Sequence, residues 1–344
     1  MNAFAVLVLA CLPAGAAVAA EPSQAASDLA ATITVSTRVV HQMLGGVGAS
    51  WHSIIRPTVG PGGSAFGGSP PVMPRREKLW SSMEREADRL DLKFIRAEIG
   101  WRQWQPQKGR FTWDSPEMKI LDRILAWSRR SGGDVVLQSM WTDVDWLAFP
   151  EFRGDPTLVE ASAPADLDAF AQGWVDLLRE LREKRGYTNI RWINLANEPN
   201  YYWWLLPPDA DGKQDPARQS RYLAEAMRKV RAALRRARIP VRVMGPDFTD
   251  LPVFENLSAE PWFAQVDDVD FHSYCSSFDW EDPKSLPGSW GYRMGTRLEQ
   301  TLVPYRAETA AAGKGLYLSE VGSQCYGWKG DSPLPGGFKA SLKD

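Results

Sequence analysis

The stretch Ile193-Asn194-Leu195-Ala196-Asn197-Glu198-Pro199-Asn200 is an apolar, strand-like run that ends in an amide, a carboxylate and a proline. A second run of this kind, Leu316-Tyr317-Leu318-Ser319-Glu320-Val321-Gly322, lies far downstream and also carries a glutamate near its end. Proline has no backbone N–H, so Pro199 ends the pairing of the first strand. Carboxylates are rarely buried unless they are paired. A glutamate at the end of a buried apolar strand is therefore expected to face other polar groups, so both runs predict strands that lead into a site.

Strand-like and helix-like runs alternate on both sides of these segments. Apolar runs predict strands at 42–50, 93–99, 134–140, 190–196, 241–245, 269–273 and 316–319. Apolar residues at helical spacing predict helices at 77–90, 115–131, 165–184, 215–238 and 297–312. This alternation indicates a parallel sheet with right-handed crossovers.

The position of the polar residues selects one class of parallel sheet. Gly45-Gly46-Val47-Gly48 does not fit the pattern GxGxxG followed directly by a helix, so a nucleotide-binding sheet is unsupported. Functional-looking residues instead follow many different strands: Glu98, Trp141, Glu198, Asp247, His272, Tyr274 and Glu320. This distribution predicts an α/β fold of the (β/α)8 TIM-barrel class, whose active site is built from all the βα loops.

The barrel is expected to lack its last βα unit in this chain. The residues after Glu320 are rich in Gly, Pro and Ser and do not predict a further helix and strand. The predicted organisation is a signal peptide at 1–20, an N-terminal lead-in at 21–40, a TIM-barrel catalytic domain at 41–322 and an irregular C-terminal tail at 323–344. The composition of the tail indicates a truncation.

The first twenty residues are typical of a secretion signal, because an uncharged apolar run is followed by small residues before Glu21. The segment departs from the usual pattern in having no Lys or Arg near its start. We therefore expect a secreted or periplasmic protein. Cys275 and Cys325 each follow a predicted strand in this oxidising compartment. They are a possible disulfide, and two free thiols remain the alternative.

Composition excludes several classes of partner. The formal net charge is −2 and the pI is about 6.0, which argues against nucleic acid and against a polybasic membrane partner. No long apolar run follows the signal, so no membrane span is expected. The three histidines, His41, His52 and His272, are scattered and no CxxC occurs, so no metal and no cofactor are predicted. The oligomeric state is not indicated.

Two carboxylates at one end of a barrel are typical of glycosidic bond hydrolysis, since one protonates the leaving oxygen and the other attacks or activates water. The chain also contains 16 Trp, and this residue offers a flat apolar face to a sugar ring. An oligo- or polysaccharide is therefore the expected substrate. Any single Trp near a predicted βα loop is more simply a packing residue, whereas the set as a whole is expected to include stacking surfaces.

Three motifs carry a resemblance to a known group of enzymes. Asn197-Glu198-Pro199 on the fourth strand and Ser319-Glu320 on the seventh resemble the retaining glycoside hydrolases of clan A. The stretch from Trp101 to Trp113 resembles a "W…P…G.[FY].W" segment that follows the second strand in several families of this clan. Asn197-Glu198-Pro199-Asn200 is most similar to family 39, and the likeness to family 30 or family 5 is weaker. The resemblance covers roughly residues 42 to 322.

This resemblance implies a set of roles. Glu198 would be the general acid/base, and Glu320 the nucleophile that forms a covalent glycosyl-enzyme. Arg96 would keep the nucleophile ionised, and Tyr274 would donate a hydrogen bond to it. Asn197 would bind the sugar 2-hydroxyl. The substrate-binding residues would be Asn197, Arg96, His272, Tyr274 and Trp141. The aromatic residue that the clan places on strand eight has no counterpart here.

Two other functions remain open at this stage. A catalytically inactive carbohydrate-binding barrel would bind glycans without turnover. A metal-dependent barrel lyase would use Glu98, Glu198 and Asp247 as ligands and would lose its activity on chelation. The sequence indicates neither the sugar, nor the linkage, nor endo or exo action.

Overall fold

The structure, a computed structural model, describes residues 47–53, 69–200, 204–209, 214–249, 252, 254–275 and 290–323. Within these ranges the side chains of 274–275, 290–300 and 321–323 are outside the description. The predicted signal peptide, the lead-in and the tail from residue 324 onward also lie outside it, so the domain bounds and secretion stay predictions.

Seven parallel strands form one sheet, and their order in the sheet is their order in the chain. The strands are β1 (Gly48–His52), β2 (Phe94–Ile99), β3 (Asp134–Ser139), β4 (Ile190–Asn194), β5 (Arg242–Phe248), β6 (Asp268–Cys275) and β7 (Leu316–Ser323). Sequential parallel pairing of this kind confirms the predicted α/β class. Among the described residues β1 and β7 are the edge strands, so the sheet has seven of the eight strands of a closed barrel.

Helices connect most of these strands. They are α1 (Glu77–Arg89), α2 (Pro116–Ser131), α3 (Pro156–Ala161), α4 (Leu167–Leu178), α5 (Pro216–Ala237) and α6 (Trp290–Ala311). The predicted helix at 165–184 is α4 followed by a π-helical stretch at Arg179–Lys184. The short α3 was not predicted, and α6 begins seven residues earlier than the apolar spacing indicated.

Helix starts follow the local capping chemistry. Proline occupies the first position of α2, α3 and α5, where its missing N–H would have had no intrahelical partner. The residue before each proline, Ser115, Asp155 or Asp215, accepts a hydrogen bond from a backbone N–H of the first turn. These caps set where each connecting helix begins and hence the length of each βα loop.

The sheet curls so that strands far apart in its order face each other across the interior. Phe94 on β2, Trp192 on β4 and Tyr317 on β7 bring their ring centroids to 5.6–5.7 Å from one another. We call these three residues the aromatic layer. Side chains from non-adjacent strands meet in this way only inside a barrel-like curl, which confirms the predicted partial TIM barrel.

The hydrophobic core lies between the outer face of the sheet and the helices. Along β2 the residues Ile95, Ala97 and Ile99 are buried on this face, whereas the alternate residues point into the barrel interior. Met118 and Leu121 of α2 are fully buried in the same core. Each such side chain contributes about 1.5–3 kcal/mol by leaving water. In the described part of the chain no helix is both long and apolar enough to cross a lipid bilayer.

Candidate active site

Two β-bulges aim side chains into the upper end of the barrel interior. The pairing of β5 with β6 shifts between Pro246 and Phe248, so that Asp247 is an extra residue on β5. Its φ of +63° lies in the left-handed region. The pairing of β6 with β7 shifts in the same way, and Ser319 becomes an extra residue before Glu320. A bulge re-aims the residues beside it, which lets neighbouring residues of one strand reach one site.

A set of polar side chains lies buried in the interior above the aromatic layer. We call it the polar layer, and its members are Arg96, Glu98, Gln138, Asn194, Asp247, Asp270 and His272, each at most 1% exposed. Burying charges is costly even when they are paired, so a cluster of this size is better explained by function than by stability.

The candidate catalytic carboxylates lie at the edge of this layer. Glu198 follows β4 with a φ of +46°, and Glu320 is on β7. One oxygen of each carboxylate and a ring nitrogen of His272 lie within 4.8 Å of one another. The side chains of Glu198 and Glu320 are 17% and 16% exposed, whereas His272 is fully buried. The two carboxylates are thus the members of the cluster that a substrate can reach.

Arg96 is the cation on the Glu320 side. Its Nη1 donates to Glu320 and to Glu98, and its Nη2 donates to Asn197 Oδ1 at 2.7 Å and to Asp247 Oδ2 at 3.2 Å. Burial alone would lower the pKa of this guanidinium, but the carboxylates of Glu320, Glu98 and Asp247 outweigh burial and raise it. A permanent positive charge therefore lies against Glu320.

His272 is the cation on the Glu198 side. Its Nδ1 lies 3.0 Å from Glu198 Oε1 and 3.5 Å from Glu320 Oε2, and its Nε2 lies 2.9 Å from Asp247 Oδ1. Burial would lower the pKa of the imidazole, but the charge of Asp247 and the hydrogen bonds to Asp247 and Glu198 raise it to about 10. Both ring nitrogens therefore carry protons at neutral pH and act as donors.

The two buried aspartates of the polar layer differ in their protonation state. Burial alone would raise the pKa of Asp247, but His272 and Arg96 hold it below its usual value. Burial and the neighbouring Asp247 raise the pKa of Asp270 well above its usual value. Asp270 Oδ2 accepts a hydrogen bond from Asn194 Nδ2 at 2.8 Å, and it lies 2.8 Å from Ser319 Oγ, to which the protonated carboxyl donates. At neutral pH Asp247 is thus the anion of the pair.

The residues that the sequence singled out come together to different degrees. Glu198, Glu320, Asn197, Arg96 and His272 form one contiguous cluster. Trp141 lies just beyond β3, at the same edge of the sheet, and is partly buried.

Three of the predicted side chains fall outside the description. Tyr274 and Cys275 are in β6, but their side chains are not described, and Cys325 lies outside the described residues. The role of Tyr274 and the possible disulfide therefore stay predictions.

Several tryptophans near the βα loops are packing residues. Trp101, Trp104 and Trp204 are at most 2% exposed. In the segment that resembles the clan motif, Trp104 stacks on Trp113 at 5.8 Å, and Phe111 stacks on Trp113 at 4.7 Å. The aromatic residues of this motif thus stabilise the loop that follows β2.

Sequence reasoning missed three supporting members of the polar layer, Gln138, Asn194 and Asp270, and the contacts that Ser319 makes with the layer. It also missed His52 on β1, whose Nδ1 pairs with Glu98. A signal for some of these residues is present in Asp268-Val269-Asp270-Phe271-His272, where every second residue is ionisable. Because alternate residues of a strand share a face, this pattern places three ionisable groups on the inner face of one strand.

The ligand set of the alternative lyase does not assemble. Arg96 binds both Glu98 and Asp247, and a guanidinium in that position opposes a metal ion. Among the described residues, the group with the spacing of metal ligands is Glu198, His272 and Glu320. Its imidazole would have to lose a proton before it could bind a cation. The expectation of no metal stays a prediction.

Comparison with known proteins reveals similarity only to solved structures. An endo-beta-1,4-glucanase from Xanthomonas axonopodis pv. citri matches at 12% identity and a TM-score of 0.48, over 72% of this chain and 70% of that one. A GH39 enzyme from the same organism matches at 14% identity and a TM-score of 0.48, over 72% of this chain and 48% of that one. An endocellulase from Pyrococcus horikoshii matches at 14% identity and a TM-score of 0.47, over 77% and 72% of the two chains.

Glycoside hydrolases are thus among the structures that this chain is similar to, as the sequence motifs predicted. The chain spans about half the length of the GH39 enzyme that it matches. No family model matches the sequence, and no curated protein matches it.

Proposed function

We propose that the protein is a retaining glycoside hydrolase that cleaves a β-glycosidic bond by double displacement. The observation that carries the proposal is the closeness of Glu198 and Glu320, whose carboxylate oxygens approach within 4.8 Å. Retaining enzymes hold their two carboxyl groups about 5–5.5 Å apart, whereas inverting enzymes need about 6.5–9.5 Å to admit a water molecule. The separation of the two carboxylates at this site fits the retaining class.

In the first step Glu320 attacks the anomeric carbon while Glu198 donates a proton to the departing glycosidic oxygen. The bond from the anomeric carbon to the leaving oxygen breaks as the bond to the Glu320 carboxylate forms. In the second step Glu198, now a carboxylate, accepts a proton from water, and the resulting hydroxide displaces Glu320 from the sugar. The covalent intermediate returns the sugar with its original configuration.

Two neighbouring residues support the role of Glu320 and the contact with the sugar. Arg96 lies against Glu320, so its charge favours the ionised form that attacks. Asn197 accepts from Arg96 through Oδ1, which leaves its Nδ2 to donate to a sugar hydroxyl. A contact of this kind with the 2-hydroxyl strengthens as the transition state forms, and it would then contribute to rate rather than to binding alone.

The proposal includes secretion into an oxidising compartment, which the composition of residues 1–20 supports. A second candidate function is a carbohydrate-binding barrel without turnover. It is favoured by the seven-stranded sheet of the described residues, in which β1 and β7 each pair with one neighbour. If one βα loop were missing, part of the wall of the substrate-binding site would be missing as well.

The test is hydrolysis of a panel of aryl β-glycosides and β-glycans by the full chain, beside Glu320→Ala and Glu198→Ala. We expect Glu320→Ala to lower kcat by about 10⁴-fold or more, as removal of a covalent nucleophile does. Glu198→Ala should regain turnover with azide and yield a β-glycosyl azide, because azide needs no general base.

A folded wild type that binds glycans in calorimetry and hydrolyses none of the panel would favour the binding barrel. An α-configured azide product would contradict retention. Activity that survives Glu320→Ala would overturn the assignment of the nucleophile.

A further inference from the structure

Asp247 occupies a position between the two halves of the candidate site. The side chain is fully buried, and its two oxygens face different partners. Oδ1 accepts from His272 Nε2 at 2.9 Å and from Ser319 Oγ at 3.2 Å. Oδ2 accepts from Arg96 Nη2 at 3.2 Å and from Gln138 Nε2 at 3.1 Å. Four donors thus use the acceptor capacity of this carboxylate, so it has no face left for a substrate.

The two charged donors each lead to one candidate catalytic carboxylate. Arg96 binds Asp247 through Nη2 and Glu320 through Nη1. His272 binds Asp247 through Nε2 and Glu198 through Nδ1. A single side chain therefore separates Asp247 from Glu320 on one side and from Glu198 on the other. The chain of contacts from Glu320 to Glu198 is continuous, and Asp247 is at its centre.

The backbone at Asp247 is built for this position. The residue is the extra one in the bulge of β5, and its φ of +63° is a conformation that residues other than glycine rarely adopt. Its backbone N–H donates to Asp270 Oδ1 at 3.1 Å. A strand selected for stability alone would have a residue with negative φ at this position. A strained backbone conformation of this kind is typical of functional sites.

We infer that Asp247 is a positioning residue that sets the separation of Glu198 and Glu320 by holding His272 and Arg96 at the same time. The inference rests on the proposed function. It assigns no contact with substrate to Asp247, whose effect acts through the two cations. The two carboxylates belong to different strands, and the cation pair held by Asp247 joins them.

The variant Asp247→Asn tests the contacts of Asp247 with His272 and Arg96 with almost no change in side-chain volume. An amide has one acceptor oxygen and one NH₂ group, so in either orientation it presents an N–H to a partner that is itself a donor. Asp247→Asn therefore removes the negative charge between the two cations, and it breaks the contact with Arg96 or the contact with the doubly protonated form of His272. A displacement of about 1 Å at the reacting groups lowers rates by about 100-fold. We expect this loss in kcat, with KM within about threefold of wild type because Asp247 does not touch substrate.

Asp270→Asn is the matched control. Asp270 is equally buried and belongs to the same layer, but it bonds to Asn194, to Ser319 and to the backbone of Asp247. It is also held in its neutral form, which asparagine imitates. Its kcat should fall by less than about tenfold. Equal losses in the two variants, or a kcat of Asp247→Asn within threefold of wild type, would overturn the inference.

A second measurement does not depend on turnover. The chain has three histidines, so the ring signals of His272 can be assigned by NMR with His272→Gln as the reference. In wild type the imidazole should stay doubly protonated from pH 5 to pH 9. In Asp247→Asn it should lose its proton at a lower pH than in wild type, because its main counter-charge has gone.

If Asp247→Asn does not fold, the wild-type spectrum still decides, since a His272 ring that titrates near pH 6.5 would contradict the cation through which Asp247 is inferred to act on Glu198. Failure of the proposed function is a separate result, seen as undiminished activity in Glu320→Ala and Glu198→Ala.

Discussion

The aromatic layer and the polar layer occupy the same barrel interior, two residues apart along the same strands. On β2 the inward residues are Phe94 and then Arg96, and on β4 they are Trp192 and then Asn194. The lower layer is three rings in mutual contact. The upper layer is a set of buried ions and amides that are joined to one another by hydrogen bonds.

The contrast separates the residues that stabilise the fold from the residues that form the candidate site. Rings that meet in a barrel interior stabilise the fold through burial and contact. Buried ions contribute little net stability, because the loss of hydration offsets their attraction. The polar layer lies at the carboxyl ends of the strands, where barrel enzymes build their sites. The aromatic layer lies beneath it and fixes the curl that brings β2 and β7 together.

The largest expected effect comes from breaking the polar layer at Arg96. Arg96→Met replaces a buried cation with an apolar side chain of similar volume, and it removes the positive charge that Glu98, Asp247 and Glu320 share. Removing one partner of a buried ion pair costs about 3–5 kcal/mol, so we expect a loss of this size in the free energy of unfolding. Urea denaturation measures it.

Arg123→Met is the matched control for this loss. Arg123 pairs with Glu77 and Glu84 near the surface, where ion pairs contribute about 0–1 kcal/mol. If Arg96→Met and Arg123→Met cost the same, the polar layer would not be the low-dielectric cluster described above.

The next effect is the pH dependence of stability that arises from His272. Its pKa of about 10 in the folded state is above the ordinary value of 6.5, so the folded protein binds the extra proton between these values. The stabilisation is fully present below pH 6.5 and is lost as the pH rises through 10. Between pH 7 and pH 9.5 the free energy of unfolding should fall by about 3 kcal/mol.

His272→Gln separates this contribution from that of other groups. The variant should be less stable than wild type at pH 7, and the difference between the two proteins should shrink towards pH 10. A constant difference across this range would show that the imidazole is neutral in the folded protein.

The smallest effect tests the aromatic layer. Tyr317→Ala removes one of three partly buried rings, and we expect a loss of about 2 kcal/mol in the free energy of unfolding. The kcat of the folded protein should stay within about threefold of wild type, because the layer lies below the reacting groups. A loss of activity as large as that of Asp247→Asn would remove the distinction between the two layers.

Much of the fold could be predicted because the pattern is local. Apolar runs that end in Gly, Pro or polar residues marked all seven strands of the described sheet, and apolar residues at helical spacing marked α1, α2, α4, α5 and α6. The limits of β5, β6 and β7 were predicted too short. Strand β5 continues through the bulge at Asp247, and a bulge depends on the pairing partner, which the sequence does not specify locally.

The candidate site was predictable where residues follow a strand directly. Glu198 and Glu320 could be named from their own segments, whereas Arg96 was named only through the resemblance to clan A. The contacts that join Asp247 to Gln138 and to Ser319 could not be predicted from the sequence. These residues lie on different strands, and their contacts depend on the curl of the sheet and on two register shifts.

The amino-acid sequence by itself determined the order of strands and helices, the inner and outer faces of each strand, and the two strand ends that carry a glutamate. Periodicity and caps act over a few residues, so they can be read along the chain. Only the tertiary structure decided that Arg96 lies against Glu320 and that His272 lies against Glu198. It also decided that one buried carboxylate, Asp247, holds both cations. Charges so far apart in the chain are stabilised by one another only after the curled sheet has removed them from water.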